Sequence, residues 1–148
     1  QDHFILFFTG YSRDASDIAK EQIKQTPSKY NELSAIKAMV DEAMSILYSQ
    51  SRGIEDFGKL LHESWKIKRS LTSLISTNQI DEIYETAMKA GAIGGKLCGA
   101  GGGGFILFFA PPEVQPRIKE ALKNLLYVPF SFETGGSQVI FNNPQDFV

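Results

Sequence analysis

Five glycines in six positions, Gly99-Ala100-Gly101-Gly102-Gly103-Gly104, constrain this chain more than any other feature of it. Each glycine costs roughly 0.5–1 kcal/mol of backbone order relative to alanine, and a plain hairpin turn needs only one or two. Two readings stay open. In one, the backbone must approach an anion closely, with N–H groups unobstructed by Cβ atoms. In the other, the stretch is a flexible connection or a segment packed against another backbone. Three known glycine devices are excluded by their surroundings. A Walker A loop needs Gly, four residues, then Gly-Lys-Ser/Thr, whereas Gly95-Lys96 is followed by Leu97 and Ala90 holds the first position. Gly99, Gly101 and Gly104 meet the Rossmann spacing, but that motif opens a helix, and Phe105-Ile106-Leu107-Phe108-Phe109 reads as a strand. The protein-kinase glycine loop does join two strands, yet no strand lysine, His-Arg-Asp loop or Asp-Phe-Gly motif follows here.

The glycines lie between strand patterns. Phe4 to Phe8 is an apolar run ended by Thr9-Gly10, and its closeness to the start, with no preceding methionine, suggests a cut inside a larger protein. Ser16 is placed to cap a short helix through Gln25. Thr26 as N-cap and Pro27 at the first helical position then start a second helix. Leu33, Ile36, Val40, Ala43, Met44 and Leu47 carry its apolar face to about Gln50, roughly six turns. Ile54, Phe57, Leu60, Leu61, Trp65 and Leu71 predict another helix to about Ser73. A further one runs from Ile80 to Ala90, with Asn78 as cap and Gly91 as stop. Ile93–Cys98 and Phe105–Ala110 read as strands on either side of the glycines. Pro111-Pro112-Glu113 opens a helix bearing Val114, Ile118, Ala121, Leu122 and Leu125. Val128–Glu133 and Gln138–Phe141 are expected as a hairpin around Thr134–Ser137. Grouped helices and two hairpins favour an α+β layer, with helices on one face of an antiparallel sheet.

The 148 residues are 43% hydrophobic, enough for one domain to bury a core. Fifteen basic against 17 acidic side chains give a net charge of −2, which does not support a nucleic-acid binder held by bulk charge. No apolar run approaches the roughly 20 residues that span a bilayer, and the first residues lack the pattern of a signal peptide. The single cysteine, Cys98, excludes a disulfide framework and a cysteine-based zinc site and points to a reducing compartment. The expectation is a soluble, cytoplasmic domain.

Gly94-Gly95-Lys96-Leu97-Cys98-Gly99-Ala100-Gly101-Gly102-Gly103-Gly104-Phe105 resembles the third motif of the GHMP kinases, the superfamily of galactokinase, homoserine kinase, mevalonate kinase and phosphomevalonate kinase. Leu61-His62-Glu63-Ser64-Trp65-Lys66-Ile67-Lys68, Ala92-Ile93-Gly94-Gly95 and Phe7-Phe8-Thr9-Gly10-Tyr11-Ser12-Arg13 resemble the branch acting on D-glycero-D-manno-heptose 7-phosphate. The resemblance covers essentially the whole chain but only the second half of such an enzyme. It implies a ferredoxin-like C-terminal domain with extra helices. ATP and Mg²⁺ would then be held mainly by an N-terminal domain that carries the triphosphate loop and the catalytic residue, neither of which is in this chain. The chain alone would be inactive, and its partners would be a small-molecule sugar phosphate and that N-terminal domain, with no nucleic acid and no membrane. Another GHMP branch, of the galactokinase or mevalonate kinase type, and a non-catalytic ferredoxin-like ligand-binding module are the rival readings.

The candidate phosphate loop is Gly99, Ala100, Gly101, Gly102, Gly103 and Gly104. Candidate substrate residues are Arg13, His62, Trp65, Lys66 and Lys96, each with a plainer alternative. Arg13 and Lys96 also fit solvated positions, His62 and Lys66 a solvated helix face, and Trp65 the core. Cys98 reads as a buried, inert thiol. His62-Glu63 has no second nearby histidine, which argues against zinc. No catalytic or metal-binding residue is assigned.

Overall fold

The computed structural model describes residues 1–140. Four strands form one antiparallel sheet in the order β2-β3-β1-β4, with β1 at Phe4–Phe8, β2 at Gly94–Leu97, β3 at Phe105–Phe109 and β4 at Leu126–Tyr127. Five helices accompany it: α1 (Ala15–Gln25), α2 (Tyr30–Tyr48), α3 (Glu55–Arg69), α4 (Asn78–Lys89) and α5 (Gln115–Ala121). This is the expected α+β arrangement. Among the described residues, no helix is long and apolar enough to cross a membrane.

The pleat sorts the strand side chains. Ile5 and Phe7 of β1 lie opposite Phe108 and Ile106 of β3, and Ile106 lies opposite Leu97 of β2, all on one buried face. That face joins Ile80, Tyr84 and Ala87 of α4 and Ile118 of α5 in a single core. The other face carries Phe4, Leu6 and Phe8 opposite Phe109, Leu107 and Phe105, with Lys96 paired to Leu107. Helix α3 packs on β2 at very close range. A Cβ at Gly94 would land on the Gly58 carbonyl oxygen and 2.9 Å from the His62 nitrogen, so helix and strand backbones touch directly.

Several expected boundaries move for identifiable reasons. Asp14, not Ser16, caps α1, its carboxylate accepting from the Ser16 N–H at 2.8 Å. Thr26-Pro27 does not begin α2. Thr26 Oγ1 donates back to the Gln22 carbonyl at 3.0 Å, residues 26–28 make a single 3₁₀ turn, and α2 starts at Tyr30. Thr77 rather than Asn78 caps α4 through the Ile80 N–H. Pro111 and Pro112 stand in a turn, and α5 begins at Gln115 with Pro116 in its first turn. The hairpin expected from Val128 onward is absent among the described residues, and Phe141 lies outside them. Pairing against β1 instead uses Leu126 and Tyr127 and ends with the Val128 N–H on Leu6 O. Val139 and Ile140, expected within the second strand, are 83% and 95% exposed.

Candidate active site

The glycine loop is the connection of the β2–β3 hairpin, closed at its base by the Cys98 N–H donating to Phe105 O at 2.8 Å. Two of its own N–H groups tie it down. Gly102 donates to Ile75 O at 2.9 Å and Gly104 to Tyr11 O at 2.8 Å. Thr9, 2% exposed, binds the Gly104 carbonyl through both its N–H and its hydroxyl. The Gln22 side-chain amide donates to Ala100 O at 2.9 Å, so α1 also clasps the loop. The seat beneath is itself fixed, since Asp81 accepts from Arg69 at 2.9 Å and from the Ser76 hydroxyl at 2.6 Å, next to Ile75.

Part of the glycine requirement is therefore packing. At Gly101 a Cβ would stand 2.7 Å from the Ile75 Cα, and at Gly103 it would stand 2.5 Å from Tyr11 O. Packing does not account for the rest. Gly99 and Gly104, at φ +84° and +93°, have open space where a Cβ would point. Among the described residues the N–H groups of Gly99, Ala100, Gly101 and Gly103 have no acceptor within the protein. A row of such N–H groups is a ready cradle for an anion.

Cations surround this row. Lys68, on α3, donates from Nζ to the Gly99 carbonyl at 2.7 Å. Burial, then the neighbouring Lys96 charge, holds its ammonium below the usual lysine range. Cys98 sits beside both lysines; burial pushes its thiol up against their pull, which fits the inert reading. Arg13 follows β1 with its Cδ against Gly102, 2.8 Å from where a Cβ would stand. Among the described residues none of Lys68, Lys96 and Arg13 makes a salt bridge.

The loop and the candidate side chains separate. Arg13 and Lys96 belong with the loop. Lys66 projects to solvent from α3 and pairs with Glu63 at 3.2 Å. His62 is tied by Nδ1 to the Tyr84 hydroxyl at 2.8 Å, its ring stacked on Tyr84. Trp65, 1% exposed, is a core residue packed on Tyr84, which corrects its place among the substrate contacts: no solute reaches it there. Lys68 was the cation that sequence reasoning missed. Its spacing carried the signal, because it falls three residues after Trp65 and seven after Leu61, on the inward stripe of α3. An apolar cleft of about 330 Å³ between α2 and α3 opens beside Lys96, lined also by Met39, Met44, Leu61 and Ser64.

An α+β domain whose β2–β3 hairpin presents a cation-flanked glycine loop is the class that this geometry defines. The model of the C-terminal domain of GHMP kinases matches residues 32–128, and the chain belongs to that family. It is 35% identical over 137 residues to D-glycero-alpha-D-manno-heptose 7-phosphate kinase of Campylobacter jejuni, covering 89% of this chain and 40% of that protein. Mevalonate kinase of Pyrococcus abyssi is 33% identical over 129 residues, with 80% and 37% covered. The crystal structure of L. major mevalonate kinase in complex with R-mevalonate shares the fold at a TM-score of 0.70 and 20% identity, covering 82% of this chain and 37% of that one. A putative sugar kinase from Campylobacter jejuni superposes at 0.51 with 25% identity, with 89% and 37% covered. The chain spans about two fifths of the length of these relatives.

Proposed function

We propose that this chain is the C-terminal domain of an ATP-dependent kinase for sugars or sugar phosphates, with D-glycero-D-manno-heptose 7-phosphate as the favoured phosphoacceptor. The observation that carries the reading is the loop itself: N–H groups without protein acceptors, flanked by Lys68, Lys96 and Arg13 without carboxylate partners. The 35% identity to a heptose 7-phosphate kinase supports the choice of acceptor. In the reaction a sugar hydroxyl oxygen forms a bond to the γ-phosphorus of ATP, the bond to the β-phosphate oxygen breaks, and ADP leaves. Such catalysis is mostly positioning and stabilisation of charge on the transferring oxygens. ATP, when bound, supplies the phosphoryl group. This chain's part is to offer the Ala100, Gly101 and Gly103 N–H groups to phosphate oxygens and to form one wall of the cleft.

Among the described residues no three His, Cys, Asp or Glu side chains come together as a donor set. On the resemblance to the family, the reading assigns Mg²⁺, the triphosphate loop and the catalytic residue to a preceding domain, and expects the 148-residue chain alone not to turn over. An ATP-dependent step on a sugar phosphate goes with a cytoplasmic location. Mevalonate as acceptor is the second reading, favoured by the 33% identity and the mevalonate kinase fold. Assaying the full-length protein with Mg-ATP against heptose 7-phosphate, other sugar phosphates, galactose and mevalonate tests both. ADP release with heptose 7-phosphate supports the first reading. Turnover of mevalonate alone supports the second, and turnover of none of them removes the kinase reading.

A further inference from the structure

Resting on that reading, we infer that Lys68 and Lys96 form a paired-ammonium site for a phosphomonoester that the acceptor already carries, separate from the loop N–H groups that face the transferring phosphoryl group. Lys68 comes from α3 and Lys96 from β2, the strand on which α3 packs, and the Lys68 Nζ reaches Gly99, three residues past Lys96, at the base of the loop. The Lys68 stem is half-buried and its Nζ is anchored to Gly99 O at 2.7 Å, using one of three donors and leaving the others for a ligand. Lys96 projects on the face of the sheet that α3 covers, at the mouth of the α2–α3 cleft with Ser64. Ser64 lines that cleft together with Lys96, and Lys68 follows Ser64 by one helical turn on α3, toward the loop. Among the described residues neither lysine has a salt-bridge partner, and the two positive charges are matched by a phosphate dianion in charge and in hydrogen-bond acceptors. The other lysines of α3 differ: Lys59 and Lys66 each pair with an acidic residue three positions earlier on the helix.

The site would select phosphorylated over neutral acceptors. The test uses the full-length enzyme and compares KM for heptose 7-phosphate, for the unphosphorylated heptose and for ATP. The variants are Lys68→Met, Lys96→Met and Lys68→Arg. Lys96→Met is expected to raise KM for heptose 7-phosphate at least tenfold while KM for the neutral heptose and for ATP stays within about threefold, and Lys68→Met, which also frees the Gly99 carbonyl, is expected to raise KM for heptose 7-phosphate by at least as much. Lys68→Arg, which keeps the charge and can still reach Gly99 O, should stay within about threefold on all three. Lys96→Met donates no bond to the loop, so it reports on the site even if Lys68→Met disturbs the hairpin. In Lys96→Met, a rise in KM for ATP, an equal rise for both heptoses, or no change for heptose 7-phosphate would overturn the pairing. If the wild-type enzyme phosphorylates no acceptor, the kinase reading falls by itself. The pair is then decided by calorimetric titration of inorganic phosphate: tighter binding to wild type than to the Lys68→Met/Lys96→Met double variant supports it, and equal binding overturns it.

Discussion

Replacing Gly94 with alanine tests whether α3 and β2 meet backbone to backbone. The added Cβ would land on the Gly58 carbonyl oxygen, with the Gly58 carbonyl carbon at 3.0 Å and the His62 nitrogen at 2.9 Å. None of these atoms belongs to a side chain that can rotate away, so the helix must lift from the strand. Overpacking a well-filled core typically costs 1–3 kcal/mol. With only backbone to yield, about 3 kcal/mol is expected, or roughly 6–12 °C in Tm for a domain of this size. Gly58→Ala offers the contrast. Its Cβ would meet the Phe109 ring at 2.5 Å and the Ile93 side chain at 3.0 Å, groups that can shift, and alanine regains about 1 kcal/mol of helix propensity. Its net cost should be roughly 1–2 kcal/mol. Urea unfolding of the 148-residue chain, followed by the fluorescence of the single tryptophan, buried Trp65, measures both. A Gly94→Ala cost below about 1 kcal/mol, or one smaller than that of Gly58→Ala, would refute the close-packing argument.

Further outcomes are expected at the loop and at the His62–Tyr84 pair. Gly102→Ala is not a clean probe of the loop, because Gly102 has φ +72° and a Cβ would crowd Arg13 and Ile18 at 2.8 and 2.9 Å; it should cost roughly 1–3 kcal/mol in unfolding experiments. Gly99→Asn is the cleaner one, since asparagine tolerates the left-handed region and the site is open. It should lower kcat/KM of the full-length enzyme at least about tenfold, or 1.4 kcal/mol, while Gly91→Ala costs stability and leaves kcat nearly unchanged. Removing the imidazole with His62→Ala takes from the Tyr84 hydroxyl its side-chain partner and should cost about 1–3 kcal/mol in chemical unfolding, with KM for the acceptor unaltered. Burial raises the Tyr84 phenol to about 12, although the Gly95 N–H works the other way. Its folded pKa therefore lies above the unfolded 10.0, so its contribution is intact below pH 10 and falls away between about pH 10 and 12, by up to about 3 kcal/mol. Tyr84→Phe should flatten that decline in stability measured across this range.

The elements with strong local patterns were readable from the residues. The Phe4–Phe8 and Phe105–Phe109 runs pair in register, and the glycines between two strands make a hairpin loop. Thr26-Pro27 misled because the threonine hydroxyl had a carbonyl available on either side and bonded backward to Gln22. The C-terminal hairpin misled because alternation alone does not tell which strand a segment pairs with, and the segment's pairing here goes to β1 through Leu126 and Tyr127. At the candidate site the loop was visible, but the division among its glycines was not. Gly101 and Gly103 answer to the Ile75 and Tyr11 backbones, which are distant in sequence, so the packing reading applies at those two positions and the anion reading remains a proposal for the open ones. Lys68 was passed over because a lysine in a run that also holds Lys66 and Arg69 reads as solvated until β2 is placed beside α3.

The central claim is that the loop's unpaired N–H groups face phosphate. Amide chemical shifts of the ¹⁵N-labelled full-length protein, recorded as Mg-ADP and heptose 7-phosphate are added, test it most directly. The expected result is saturable movement of the Ala100, Gly101 and Gly103 signals, with Gly102 and Gly104 moving less because Ile75 and Tyr11 already hold them. Signals of Ala100, Gly101 and Gly103 that stay fixed while the ligands demonstrably bind would contradict it, and the loop would then be a packing device alone.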